Sequence, residues 1–210
     1  MAALLFGPAQ TLHWPQAWVF LTIFAAGAAF MGAFLIRRDP GLLSARLNSR
    51  LAQGQPLWDR IFMLGAVAGW CAWLALMALD AKRLHPSQMP VGVEVAGALL
   101  VIAGFVAVMP VFAANSFAAP VVRVQNEREQ RVIDTGPYAY VRHPMYAAAM
   151  LYLVGMPLLL GSWYGLIGTA LLAVTIAVRA VFEERELKRE LPGYTEYTTR
   201  VRWRLIPGVW

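Results

Sequence analysis

A series of apolar runs, each long enough to cross or nearly cross a lipid bilayer, constrains this chain most. The hydrocarbon core of a bilayer takes about 20 helical residues. The runs cover about residues 17–36, 61–79, 91–114, 145–160 and 163–181. With 59% of its 210 residues hydrophobic and 14% charged, the chain is more apolar than a soluble domain needs to be. The sequence therefore predicts an all-α integral membrane bundle of about five transmembrane helices.

Only Gly161 and Ser162 separate the last two runs, so these runs are expected to form a tight helical hairpin. The polar residues before and after this hairpin then come close together in space. We expect one domain over residues 1–210, with scaffold helices in 1–114 and the residues of a candidate site in 115–210.

The basic residues predict the orientation of the chain in the membrane. Of the 18 Lys and Arg residues, only Lys82 and Arg83 fall on one side of the predicted spans. The others fall on the opposite side, and loops rich in Lys and Arg stay in the cytoplasm. We therefore expect an integral membrane protein with its N-terminus outside and its C-terminus cytoplasmic.

A short helix is expected on the cytoplasmic face between the first two runs. Leu43, Leu47 and Leu51 recur every four residues, with Arg46 and Arg50 beside them. That spacing is typical of an amphipathic helix at a membrane surface. The alternative is a solvated loop in which the leucines are incidental.

Several classes of site are disfavoured by composition. A lone cysteine, Cys71, excludes a disulfide framework or a Cys-based metal site. The three histidines, His13, His85 and His143, are too far apart in sequence for a His-rich metal centre, so no metal is expected. The net charge of +6 in a membrane protein indicates topology and attraction to anionic lipid, so nucleic acid is not an expected partner. Glycine-rich nucleotide-binding motifs are also absent from the sequence.

A polar, aromatic block reading G-P-Y-A-Y-V-R-H-P-M-Y occupies residues 136–146, directly before the hairpin. Gly136 with Pro137 predicts a turn, and Pro144 favours an extended backbone at the preceding residue. Irregular backbone near a membrane persists where it is buried in protein or lines a polar cavity.

The side chains of this block suit a flat heteroaromatic ligand such as a purine. Tyr138, Tyr140 and Tyr146 can stack on a ring and donate hydrogen bonds, and His143 can donate or accept near neutral pH. The alternative is an interfacial belt, because Tyr, His and Arg all favour the headgroup level.

A second polar cluster follows the hairpin at Arg179, Glu183 and Glu184. Arg179 and Glu183 share a helical face, so the arginine either marks a site or extends to the membrane surface and pairs with that glutamate. Glu183 and Glu184 diverge by about 100° around the helix, which disfavours an acid–base pair on one bond. One of them can bind a cationic or hydroxyl-bearing ligand. Beyond them, Arg200, Arg202 and Arg204 alternate with apolar residues, as either a lid over the site or a segment on anionic lipid.

These motifs resemble the isoprenylcysteine carboxyl methyltransferase family and its phospholipid N-methyltransferase relatives. The corresponding residues are Asn115, Gln125, the run 135–146, Glu183 and Glu184 with Leu187, Tyr194 with Tyr197, and 204–207. The resemblance covers about residues 115–207, and a looser resemblance of the N-terminal half to bacterial members implies a bacterial inner membrane. It implies S-adenosylmethionine bound without a Rossmann fold, and methyl transfer to a lipophilic small molecule, lipid or prenylated substrate through a carboxylate or an amine.

The resemblance also implies roles for individual residues. Arg142 and Arg179 are expected to be catalytic, near the transferred methyl group or the substrate. The expected cofactor-binding residues come from the same motifs: Gln125, Gly136, Tyr138, Tyr140, His143, Pro144, Tyr146, Glu183 and Glu184. Two other functions stay open, a membrane reductase of the sterol-reductase type that uses NADPH, and a non-catalytic scaffold whose basic face docks a partner or anionic lipid.

Overall fold

The chain is all-helical in a computed structural model that describes residues 1–48, 55–84 and 89–210. Helix accounts for 76% of the structure, and the described residues contain no strand. The α-helices are α1 (Ala2–Ala9), α2 (Pro15–Arg38), α3 (Pro40–Leu47), α4 (Leu57–Leu79), α5 (Val91–Ala114), α6 (Pro144–Leu160), α7 (Trp163–Glu190) and α8 (Tyr194–Arg200). A π-helical turn at Asp80–Leu84 and 3₁₀ turns at Asn126–Arg128 and Gly136–Ala139 complete the described elements.

Four of these helices are long and apolar enough to cross a membrane: α2, α4 with its π-helical turn, α5 and α7. Helix α6 is a shorter apolar helix. Large apolar side chains on these helices are exposed, among them Leu64 at 73% and Leu171 at 66%. Apolar side chains exposed along whole helices are suited to lipid. The predicted all-α membrane fold is confirmed.

The chain divides into two compact units. The first unit comprises Met1–Phe30, Leu64–Val106 and Ala148–Val174. The second unit comprises Met31–Met63, Ala107–Ala147 and Thr175–Trp210. The predicted boundary at residues 114 and 115 does not coincide with either set of limits.

Helices α5 and α6 pack closely in the first unit because glycines face each other. A Cβ added at Gly97 would lie 2.4 Å from the backbone nitrogen of Leu159, and one at Gly155 would lie 2.6 Å from the carbonyl oxygen of Gly97. Contacts this short leave no room for a side chain. Small residues at such positions let membrane helices approach through their backbones.

The predicted hairpin between α6 and α7 is present in the first unit. Gly161 has φ +76°, a left-handed conformation that glycine adopts without strain. Ser162 is fully buried and donates from Oγ to Oδ2 of Asp80 at 2.7 Å. The same Asp80 oxygen accepts a hydrogen bond from the backbone nitrogen of Tyr164 at 3.2 Å. The carboxylate therefore fixes the first turn of α7.

The short helix expected after the first apolar run is α3, in the second unit. Asp39 caps it by accepting from the backbone nitrogen of Leu42 at 2.8 Å. Leu42 is buried in the protein, whereas Leu47 is 72% exposed. Leu51 and Arg50, which belonged to the predicted helix, lie outside the described residues, as does His85.

Candidate functional site

The segment before α6 lies beside the C-terminal tail within the second unit. The backbone nitrogen of Arg142 donates to the carbonyl oxygen of Trp203 at 2.9 Å, and that of His143 donates to Arg204 at 2.9 Å. Val141 and Trp203 form a parallel bridge. Pro144 begins α6, so the residues just before it lie outside the helical ladder and need other partners. The tail supplies those partners.

Glu184 joins this segment to α7 through a buried cluster of charges. Its Oε1 accepts from Nε of Arg142 at 2.7 Å and lies 3.2 Å from Nε2 of His143. Its Oε2 accepts from Nε of Arg204 at 3.1 Å. Glu184 is 3% exposed, and a buried carboxylate is costly unless it is paired and hydrogen-bonded. One carboxylate therefore holds the segment before α6, helix α7 and the tail together.

Arg142 lines a cavity, but most of its N–H groups donate hydrogen bonds to other residues of the protein. Besides the contacts with Glu184, its Nη1 donates to the carbonyl oxygens of Val201 at 2.9 Å and Arg202 at 3.1 Å. Arg142 is 8% exposed. These contacts indicate an arginine that positions the segment.

Glu183 points away from this cluster, as the divergence of neighbouring helical positions predicted. Its Oε2 accepts from the hydroxyl of Tyr146 at 2.6 Å. The ring of Tyr146 stacks on that of His143, with centroids 5.4 Å apart and planes 9° apart. Two neighbouring glutamates thus have different surroundings, one in a closed ion cluster and one at an aromatic pair.

An open cavity in the second unit brings the two sequence motifs together. Its polar wall contains Tyr138, Arg142, His143 and Tyr146 from the first motif and Glu183 from the second. Apolar residues also line it: Phe117, Val121, Val122, Val132, Ile133, Leu187 and Leu191. Further polar residues share the lining, namely Asn115, Arg123, Gln130 and Arg131. A concave site that combines apolar walls with convergent polar groups suits a small-molecule ligand.

Gln125 and Tyr140, which the resemblance implied for the cofactor pocket, do not line this cavity. Gln125 is 1% exposed, donates to the carbonyl oxygen of Phe117 at 2.9 Å and accepts from Nη1 of Arg128 at 2.7 Å. It therefore ties together the loop that follows α5. Tyr140 is 72% exposed.

Gly136, Pro144 and Glu184 also lie outside the cavity wall and shape the backbone around it. Gly136 has φ +58°, and a Cβ there would lie 3.2 Å from that of Ala114. Pro144 starts α6. The structure places these residues next to the cavity, and their part in binding stays a prediction.

Arg179 pairs with Asp59, not with Glu183, and does not line the cavity. Its Nη2 lies 3.0 Å from Oδ1 of Asp59 and donates to the carbonyl oxygen of Pro120 at 2.6 Å. Asp59 is fully buried, and its Oδ2 accepts from the backbone nitrogen of Val122 at 2.9 Å. The pair ties α4, α7 and the loop after α5 together, which indicates a structural arginine.

The sequence interpretation missed Asp59. A carboxylate at the start of an apolar run is a detectable signal, because a charge there needs a partner. Its partner is 120 positions away, so spacing along the chain does not identify it.

The C-terminal tail packs against the site. Of the two arrangements expected for it, this favours a lid over the site and disfavours a segment that lies on anionic lipid. Tyr194 and Tyr197 are buried with Leu191 and Val201. The hydroxyl of Tyr197 donates to the carbonyl oxygen of Tyr138 at 2.8 Å, and Tyr194 lines the cavity.

Residues 93–191 match the model of a family described as phospholipid methyltransferase. The matched segment includes all but the first two residues of α5, the whole of α6, the block at 136–146 and both glutamates of α7. No protein of curated function matches the chain significantly.

Proposed function

We propose that this chain transfers a methyl group from S-adenosylmethionine to a lipophilic acceptor, because residues 93–191 match the phospholipid methyltransferase family model. That match suggests methyltransferase activity in a membrane. The methyl donor and the acceptor class are the further steps of the proposal. One observation carries them: His143 and Tyr146 of the first motif and Glu183 of the second line one cavity.

The residues at this cavity fit the proposed methyl donor. S-adenosylmethionine combines a purine ring, ribose hydroxyls and a charged amino-acid end. The stacked rings of His143 and Tyr146 offer flat surfaces for a purine. Glu183 offers acceptor oxygens. Its Oε1 has no hydrogen-bond partner among residues 1–48, 55–84 and 89–210. We propose that Tyr138, His143, Tyr146 and Glu183 hold the cofactor.

The chain contributes position more than acid–base chemistry. When bound, the cofactor supplies an electrophilic methyl group on a sulfonium sulfur. The leaving group is good because this sulfur departs as a neutral thioether. Holding two reactants in line can lower a barrier by about 7–11 kcal/mol in favourable cases. A carboxylate acceptor needs no base, whereas an amine must lose a proton, to Glu183 or His143. Of the two arginines expected to be catalytic, Arg142 lines the cavity, and it orders the segment that carries His143.

We also propose that the acceptor reaches the site from the bilayer and the cofactor from the cytoplasm. The candidate spans and the exposed apolar side chains along them support membrane embedding. The asymmetry of basic residues supports a cytoplasmic C-terminus. Carboxyl methylation of a prenylated substrate and amine methylation of a lipid are both compatible with this cavity.

Binding of S-adenosylmethionine to the detergent-solubilised protein tests the proposal. We expect His143→Ala and Glu183→Ala each to weaken binding, while Tyr164→Ala serves as a control because this exposed residue does not line the cavity. Unchanged affinity in both cavity variants would overturn the proposal. Thermal stabilisation by NADPH and not by S-adenosylmethionine would instead support the reductase.

Incubating membranes with the donor labelled in its methyl group then identifies the acceptor. Label in extracted lipid indicates a lipid acceptor, and label in protein indicates a prenylated one. No transfer to either fraction by a protein that binds the donor would contradict methyl transfer to these acceptors.

A further inference from the structure

Asn115, directly after α5, fixes the direction of a hydrogen bond at the cavity. Its side-chain amide contacts two groups, the backbone nitrogen of Phe117 at 2.8 Å and the hydroxyl of Tyr138 at 2.8 Å. Asn115, Phe117 and Tyr138 all line the cavity. Asn115 has no role in the function proposed above, and Tyr138 enters it only as one of the residues that hold the cofactor.

The orientation of the amide follows from the chemistry of its partners. A backbone N–H can only donate, so the Asn115 atom that meets Phe117 is the oxygen, Oδ1. The amide nitrogen, Nδ2, is therefore the atom that faces Tyr138, and an amide nitrogen can only donate. The phenolic oxygen of Tyr138 accepts this bond, which leaves its own proton available for a different partner.

In the part of the chain that the structure describes, no group accepts a hydrogen bond from the Tyr138 hydroxyl. Burial raises the pKa of Tyr138 to about 12, so the phenol keeps its proton at neutral pH. The main chain of Tyr138 is held as well, because its carbonyl oxygen accepts from the hydroxyl of Tyr197 at 2.8 Å. The result is a positioned donor at a cavity wall.

We propose that Tyr138 donates a hydrogen bond to an acceptor atom of the bound methyl donor, and that Asn115 is the positioning residue that directs this bond. The inference rests on the proposed function. The cavity then presents a hydrogen-bond acceptor, Glu183, and a hydrogen-bond donor, Tyr138. A ligand with both donor and acceptor groups can then bind in one orientation.

The test measures binding of S-adenosylhomocysteine, the demethylated donor, by calorimetry in detergent. Tyr138→Phe removes only the hydroxyl. Asn115→Asp keeps the size of the side chain but turns the donor into an acceptor, which draws the Tyr138 proton away from the ligand. Loss of one hydrogen bond predicts about a 3- to 10-fold weaker affinity for either variant. The double variant should bind no more weakly than the single ones, because each removes the same bond.

Tyr164→Phe is the matched control, since Tyr164 is exposed and does not line the cavity. A second probe, 5′-methylthioadenosine, lacks the amino-acid end of the donor. Weaker binding of both probes places the acceptor atom in the nucleoside half, and weaker binding of S-adenosylhomocysteine alone places it in the amino-acid half. Both results support the donor role.

A lower melting temperature with unchanged affinity in Tyr138→Phe would overturn the inference and assign the hydroxyl a structural role. Loss of affinity in Tyr138→Phe but not in a folded Asn115→Asp would overturn the part assigned to Asn115. If Asn115→Asp does not fold, Tyr138→Phe still decides the donor role. A wild-type protein that binds neither probe counts against the proposed function itself, and the inference fails with it.

Discussion

The Oε1 atom of Glu184 lies 2.7 Å from Nε of Arg142, and the two side chains are 4% and 7% exposed. A pair this buried joins α7 to the segment before α6. Arg204 reaches the other carboxylate oxygen from the tail. The placement of His143 at the cavity therefore depends on a glutamate that does not line it.

Glu184→Gln should destabilise the protein while leaving the shape of the side chain almost unchanged. Arg142 and Arg204 would remain buried or half-buried without their counter-charge, and breaking a buried ion pair costs about 3–5 kcal/mol. Thermal unfolding in detergent should show a clearly lower melting temperature. Glu190→Gln is the control, because Glu190 is 47% exposed and surface pairs contribute little. Equal melting temperatures for the two variants would contradict a structural role for Glu184.

Arg179 and Asp59 should behave as one structural unit. Asp59→Asn and Arg179→Met each leave a buried partner unpaired, so each should destabilise by about 3–5 kcal/mol. The double variant should lose much less than the sum of the two, since the second change removes a charge already without a partner. A double-mutant cycle of unfolding free energies measures this coupling.

A second experiment on this pair distinguishes a structural role of Arg179 from the catalytic role that the resemblance implied. Arg179→Lys keeps the charge near Asp59 but loses the planar guanidinium that also reaches Pro120. We expect methyl transfer and the melting temperature to fall together. A variant that unfolds at the wild-type temperature but has lost its turnover would assign Arg179 to catalysis after all.

Tyr146→Phe should weaken donor binding through Glu183. The hydroxyl of Tyr146 holds Oε2 of Glu183 at 2.6 Å, and without it the carboxylate is free to rotate. A hydrogen bond to a charged group contributes about 1.5–3 kcal/mol, so a loss of roughly 10-fold or more in affinity is expected. Calorimetric titration with S-adenosylhomocysteine measures it. An affinity within a factor of two of the wild type would show that this hydrogen bond does not orient Glu183.

Gly136→Ala should destabilise the turn before α6. The residue has φ +58°, where a side chain costs about 1–2 kcal/mol, and its Cβ would also lie 3.2 Å from that of Ala114. Gly208→Ala is the matched control, because Gly208 has φ +82° with no atom within 4 Å of an added Cβ. The difference between the two melting temperatures isolates the contact with Ala114. If Gly208→Ala were the more destabilising of the two, crowding at Gly136 would be negligible.

The helices were the most predictable part of the structure. The apolar run predicted at 91–114 coincides with α5, because hydrophobic length is a local property that lipid selects directly. Helix α7, in contrast, continues to Glu190, beyond the end of its apolar run at residue 181. Its last turns are charged, with Arg189 paired to Glu186 three residues earlier, so they form a helix without belonging to an apolar run.

The sequence by itself determined which segments are apolar helices, where the hairpin turns, and which two motifs carry the polar residues of the site. Only the tertiary structure decided the interaction partner of each charged residue. It pairs Arg179 with Asp59, Arg142 with Glu184, and Glu183 with Tyr146. Apolar burial depends on composition over about 20 residues, which can be read along the chain. A buried charge is stabilised by whichever opposite charge or donor lies within about 3 Å of it, and that partner is set by folding.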